Sequence, residues 1–238
     1  MNNTKTASFL AKPVWLRLDS SRFPFQKSET LEYKLNAALV SASFSMGFEL
    51  GSDQVLAASG QGAVRVLFKK AQGASAYSDG SVIEDDQAFS RYVELDQAGK
   101  TLNEWNMALD KTTREWPAKA ELPAPVLNPL LVLPAFISSW NSTTEEYLAQ
   151  IVAGKRTHAL KIRAGENQRT EDGLRIYRVS IKKILAPVIK DQWAEISWNE
   201  GDALEFHFDE KEKVVRTFRY RISPFGSLTA SLKGVVRV

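Results

Sequence analysis

Two histidines, His158 and His207, are the whole imidazole supply of this chain. Histidine is the side chain that most readily moves protons near neutral pH and binds transition metals. Neither has a partner at His-x-His or His-Glu-x-x-His spacing, so no zinc-hydrolase signature is present. His158 shares a strand face with Leu160 and Ile162, and His207 sits opposite Phe206 and Phe208. Both read as packed or surface side chains. Cysteine is absent, which removes disulfides, thiolate metal sites, iron–sulfur clusters and thiol nucleophiles. Serine is plentiful, yet Gly73-Ala74-Ser75-Ala76-Tyr77 lacks the last glycine of a nucleophile elbow. Gly60-Gln61-Gly62 runs into Ala63-Val64-Arg65 and completes neither a dinucleotide-binding loop nor a P-loop. Glu84-Asp85-Asp86 lacks the alternate spacing of a calcium loop and reads as a solvated turn. Paired glycosidase carboxylates come from distant strands and leave no local spacing to read. No catalytic residue, metal site or cofactor is assigned.

The aromatic residues say more. The chain has 6 Trp, 6 Tyr and 12 Phe. Phe44, Met46 and Phe48 alternate with small or polar residues, as do Trp105 with Met107 and Phe218 with Tyr220. Alternation places each set on one face of a strand. Phe136 and Trp140 lie in the one clear helical segment. In a filled sheet these nine residues are core. On a curved sheet incompletely covered by one short helix, they line a cavity for an apolar or lipid-like ligand. The methionines suit an adaptable surface. Phe44, Met46, Phe48, Trp105, Met107, Phe136, Trp140, Phe218 and Tyr220 are therefore the candidate ligand-binding residues.

Period-two alternation dominates the chain and predicts half-buried strands. It is clearest over residues 41–50 and 103–109. Further strands are expected at 31–36, 63–68, 89–95, 158–163, 174–181, 193–198, 203–208, 214–222 and 228–238. Turn residues separate them, among them Gly51-Ser52-Asp53, Asp79-Gly80, Gly99-Lys100, Asp172-Gly173 and Pro224-Phe225-Gly226. Asn128 followed by Pro129 offers a cap and a first-turn proline for a helix reaching Trp140. Pro134 inside it makes the helix short or kinked. Residues 143–153 fit either a capped helix or the first strand of a hairpin with 157–163. The clear partner strand favours the hairpin. The expected fold is mainly β: an antiparallel meandering sheet curved into a barrel or half-barrel, with one short helix near residues 129–140. Residues 1–24 read as an N-terminal extension and 25–238 as a single β-rich domain, with a proline-rich crossover at 117–129.

At 238 residues, 44% hydrophobic and 25% charged, the chain has the composition of a soluble globular protein. The net charge is +3, and residues 1–119 are balanced, so the excess lies in the second half. The densest basic stretches, Arg175, Arg178, Lys182, Lys183 and Lys213, Arg216, Arg219, Arg221, fall in alternating segments. They read as solvated strand faces and not as a nucleic-acid site. An acidic ligand or an anionic membrane surface stays open. No stretch approaches the ~18 apolar residues of a transmembrane helix. The start of the chain is a poor signal peptide, its apolar stretch being about four residues long. Periplasmic and cytoplasmic locations both fit that start.

Three stretches carry a resemblance. Glu29-Thr30-Leu31-Glu32-Tyr33-Lys34-Leu35 is similar to the opening strand of a family of uncharacterised bacterial envelope proteins, a domain of unknown function. Asn128-Pro129-Leu130-Leu131 resembles that family's mid-chain helix start, with Asn in place of Asp. Residues 218–232 resemble its closing strand pair with a glycine turn. Ser28 stands where the family tends to carry glycine. The resemblance covers residues 25–236 and implies a periplasmic protein of mostly antiparallel strands. Its fold resembles the half-barrel of outer-membrane lipoprotein carriers, which hold acyl chains on a concave sheet. It implies no catalytic residues. The expected function is a non-catalytic envelope protein that binds an apolar or lipid-like small molecule. The alternatives are an assembly factor that binds another envelope protein, and a glycan or lipid hydrolase.

Overall fold

A computed structural model describes residues 12–23, 28–37, 40–51, 55–66, 72–81, 90–96, 98–107, 126–153, 156–184, 193, 195–198, 204–222 and 226–237. Among the described residues fourteen strands form one sheet. They are β1 (Val14–Trp15), β2 (Ser28–Ala37), β3 (Val40–Leu50), β4 (Val55–Val66), β5 (Gln72–Ser81), β6 (Ser90–Leu95), β7 (Thr101–Met107), β8 (Val126–Leu127), β9 (Glu146–Ala153), β10 (Arg156–Arg169), β11 (Arg175–Ile184), β12 (Leu204–Asp209), β13 (Val214–Ile222) and β14 (Gly226–Arg237). The spatial order is β1-β9-β10-β11-β12-β13-β14-β2-β3-β4-β5-β6-β7, with β8 also on β9. β1 and β8 run parallel to β9, and every other neighbour is antiparallel. Among the described residues β7 does not pair back onto β1 or β9, so the sheet is open.

The expected mainly β fold with one short helix is the fold observed. A 3-10 turn at Pro129–Leu131 leads into the helix α1 (Val132–Ser139). The Asn128 carboxamide accepts from the backbone of Leu130 at 3.0 Å and of Leu131 at 3.2 Å. That satisfies the Leu130 amide and gives Leu131, which also donates to the Asn128 carbonyl at 3.1 Å, a second acceptor. Pro134 falls in the first turn of α1, where its missing N–H costs nothing, and the helix is short, eight residues long.

The helix segment proves that the sheet curls. Its 3-10 turn touches β9 on one side and β4 and β5 on the other. In a flat sheet β9 and β4 would be eight strand spacings apart, about 38 Å. The strands therefore wrap around α1 as a half-barrel. Strand register then sorts the side chains. Tyr147, Ile162, Tyr177, Phe206, Phe218, Leu31, Tyr33, Phe44 and Phe48 face the inside, packed with α1 or with one another. Inside the same core sits Leu16, fully buried, from the stretch read as an N-terminal extension. Ser138 and Ser139 of α1 hold that stretch through the carbonyl of Arg17, at 2.5 and 3.1 Å.

Three local expectations differ from the structure. Residues 72–81 form β5, and Asp79-Gly80, read as a turn, lies within it, opposite Ala57 and Leu56. Gln72–Ser81 carries only small and polar residues apart from Tyr77, so no apolar alternation marks it. β4 begins at Val55 and not at 63, because Gly60 and Gly62 pair within the ladder. Trp193–Trp198, read as a strand, is not one. β11 pairs directly with β12, which leaves no slot in the ladder. Its tryptophans instead cover the convex face over Leu148 and Ala159, with Trp15 against Trp193 at 4.5 Å. The hairpin over 143–163 forms as β9 and β10. The proline-rich residues 117–125 lie outside the described residues.

Candidate functional site

Phe136 is the hub of the filled end. Its ring meets Tyr147, Tyr177, Phe206 and Phe208 edge-on at 5.0–5.3 Å. Edge-to-face pairs at this spacing add about 0.5–1.5 kcal/mol each beyond the burial itself. From this hub an aromatic belt crosses the inner face of the sheet. Tyr177 stacks on Phe206 at 5.2 Å, Phe206 meets Phe218 at 6.3 Å, and Phe218 meets Tyr33 at 5.2 Å. Tyr33 stacks on Phe44 at 4.8 Å.

The phenols in this core have fixed partners. Tyr33 donates to the carbonyl of Val215 at 2.8 Å, and Tyr177 accepts from the indole N–H of Trp140 at 2.8 Å. Burial pushes the Tyr33, Tyr147 and Tyr177 hydroxyls well above the ordinary phenol range. They stay neutral and serve as tethered packing groups, Tyr147 accepting from the Asn141 amide at 3.0 Å and donating to its carbonyl at 3.1 Å.

A polar clamp closes the same end. Glu210 takes Arg169 at 2.6 Å and Arg175 at 3.2 Å. Burial alone would raise the Glu210 carboxyl, but the two guanidiniums outweigh it and hold the group below its ordinary range. Lys213 lies 3.2 Å from the centre of the Trp140 ring, with the backbone in the left-handed region at φ 54°. Desolvation there lowers the Lys213 amine, against the pull of Glu210. Asp209 pairs with Arg216 at 3.0 Å, and inner-face Glu29 pairs with Arg237 at 3.2 Å.

The opposite end of the inner face is open. Beyond the belt, register aligns Val179, Leu204, Tyr220 and Leu228 in one row across β11 to β14. Ile181 follows on the same face of β11, opposite Leu160. Yet Tyr220 is 48% exposed and Ile181 46%, while Leu204, Leu228, Leu35 and Ala42 are half-buried. Apolar side chains on the inside of a curled sheet are ordinarily covered. Here the helix occupies the other end, and although Val179 and Leu160 remain buried, Tyr220 and Ile181 are left uncovered. The result is an apolar trough whose blind end is the aromatic belt.

The nine candidate residues fall into three groups. Phe136 and Phe48 are buried in the filled end, and Trp140 caps it. Phe44, Met46 and Phe218 are half-buried at the belt, and Tyr220 stands in the open trough. Trp105 and Met107 lie on β7, paired with Tyr92 and Ser90, and their side chains fall outside the described residues. Ile181, Leu204 and Leu228 belong to the trough and were not singled out from sequence. They are ordinary strand aliphatics, and only the pairing of their strands shows that they share a face with Tyr220.

Neither a protein-family model nor a curated protein matches this chain. A solved structure does. The β-barrel-like protein of domain of unknown function DUF1849 from Brucella abortus matches with a TM-score of 0.51 at 11% identity, over 92% of this chain and 98% of its own. That likeness shows the fold. A porin-like protein from Bacteroides uniformis matches at a TM-score of 0.29 and 7% identity, over 94% of this chain and 99% of that one. MucB, in complex with MucA, matches at 0.15 and 11% identity, over 91% and 90%. These two scores are too low to carry an argument. Among the described residues, no helix is long and apolar enough to cross a membrane, which says nothing of a β-barrel.

Proposed function

We propose that this chain is a non-catalytic bacterial envelope protein, working in the periplasm, that holds an apolar or lipid-like ligand in the trough. The observation that carries the reading is the exposure of Ile181 and Tyr220 on the inner face of the sheet. Exposed apolar surface inside a concavity is the ordinary form of a site for an apolar ligand. Phe44, Met46, Phe218 and Tyr220 would contact the ligand, joined by Ile181, Leu204 and Leu228. Phe136 and Trp140 belong to the plug that ends the trough. Residues 25–238 would act as one unit. The compartment rests on the resemblance carried by residues 29–35, 128–131 and 218–232.

Native mass spectrometry of the gently purified protein, followed by solvent extraction, tests this. The expected result is a co-purifying acyl species released on denaturation. Ile181→Asp and Tyr220→Asp should each lower its occupancy at least tenfold. Both sites are solvent-facing, so stability should shift by less than about 1 kcal/mol. A clean apo mass that stays unchanged after incubation with envelope lipids would overturn the reading.

A second reading rests on the sheet edge. β7 has a strand neighbour on one side only among the described residues, and its Leu102 is 58% exposed. An open edge is a template for another chain. One stoichiometric protein partner recovered without lipid would favour an assembly role.

A further inference from the structure

We infer that the trough takes an anionic single-chain amphiphile, with its chain over Tyr220 and Ile181 and its head group at Lys183. This rests on the apolar-ligand reading and adds the charge of the ligand and its orientation.

The argument comes from how charge is distributed between the two ends of the half-barrel. At the filled end the charges are spent on each other: Glu210 on Arg169 and Arg175, Asp209 on Arg216, Glu29 on Arg237. At the open end the strands from β9 through β14 to β2 carry Lys34, Lys182, Lys183, Arg219 and Arg221. Glu205 is the one acid there among the described residues. It is already engaged by Arg219 at 3.6 Å and by His207 at 3.3 Å. By strand alternation Lys34, Lys182, Arg219 and Arg221 lie on the convex face, so Lys183 alone of this set lies on the inner face.

Lys183 is the member of that set placed to meet a ligand. It pairs with His158 across β10 and β11, one inner-face step beyond the Ile181–Leu160 pair. Two residues along a strand span about 7 Å. An exposed ammonium thus sits at the mouth just past the apolar lining. Lys182, by alternation, lies on the convex face beside Ile184, which packs there against the tryptophan cluster. An amphiphile lying in the trough with its chain toward the belt would bring its head to Lys183. A neutral head would form no ion pair with Lys183. An anionic head neutralises it without ordering any new part of the protein.

A matched pair of probes tests this: a lysophosphatidic acid and the 1-monoacylglycerol with the same chain, both below their micelle concentrations, with inorganic phosphate as a third arm. The phosphate-bearing lipid should bind at least tenfold tighter at low salt, and the preference should shrink at high ionic strength, where exposed charges are screened. Inorganic phosphate at millimolar concentration should neither bind detectably nor displace the lipid. Lys183→Glu should abolish the preference, read as the ratio of the two affinities. Lys182→Glu, an identical charge change on the opposite face, should keep most of it. Equal affinity for the two lipids would overturn the inference while leaving the apolar trough intact. Failure of both lipids to bind would overturn it together with the apolar-ligand reading. Tight binding of inorganic phosphate would mark a free-anion site, and an equal loss in Lys182→Glu would remove Lys183 from the role.

Discussion

Phe136 is a hub of the described core, because four aromatic side chains from β9, β11 and β12 close on it. Phe136→Ala should destabilise the fold by about 3–5 kcal/mol, since a buried ring leaves a cavity that rigid strands cannot collapse. Thermal denaturation reads this directly. A loss below about 1 kcal/mol would mean that the belt, and not the plug, carries the core. Glu210 makes a second prediction. Its folded-state carboxyl is held below the ordinary 4.5 by Arg169 and Arg175. A depressed pKa contributes stability above the unfolded value and loses it as pH falls through the folded one. Wild type should therefore exceed Glu210→Gln by about 1 kcal/mol at neutral pH, a value kept small by the half-exposed Arg169. The gap should close as pH drops below 4.5. A gap that stays constant in a pH series of melting curves would show that the clamp does not act through charge. At this scale the sequence showed which side chains were available and little of how they are used. Trp140 was legible as part of a covering helix. Its tether to Tyr177 and the ammonium of Lys213 over its ring come from residues 37 positions away or more, which no local pattern reports.

The helix segment works as a plug because it is tied at both ends. Asn128 fixes its start, and Ser138 fixes its end to the chain before β2, donating to the carbonyl of Arg17 and accepting from the amide of Asp19 at 3.3 Å. Ser138→Ala removes both bonds and adds no volume at this buried position. It should cost about 1–3 kcal/mol and speed tryptic cleavage after Arg17 and Arg22, because the segment loses its anchor to the helix. Unchanged proteolysis would mean that Leu16, buried in the core, holds the segment unaided. Strands were legible where large apolar residues alternate, as at Val214–Ile222, which matches to the residue. They were not legible at β5, where alanine, serine and glycine fill the pairing positions and leave no contrast between the faces. The opposite error occurred at Trp193–Trp198. There large residues do alternate, but they stack across the convex face, with Trp193 and Trp198 ring to ring at 6.3 Å.

At the scale of the whole molecule, the proposed function has a half-barrel stoppered at one end binding from the other, so occupancy and stability should be linked. A ligand at a hundredfold excess over its dissociation constant stabilises by about 2.7 kcal/mol. Titrating lysophosphatidic acid should therefore raise the melting temperature in step with binding, and should not do so in Tyr220→Asp. The curl of the sheet was legible in outline from the many short strands. The location of its open end was not, because that depends on which strand ends lie together in space. The strand order has a consequence of a different kind, in time. β2 to β7 form one run of neighbouring hairpins and β9 to β13 another. Within the described strand ladder β14 joins them, pairing with β13 on one side and β2 on the other, so that Thr229 meets Asn36 and Arg237 meets Glu29. Contacts this distant in the chain form slowly. During synthesis the ribosome therefore carries two half-sheets with raw edges until residues 226–237 have emerged. A chain arrested before Gly226 should remain open to protease along its length, and a holding chaperone would have that whole interval in which to keep it unfolded.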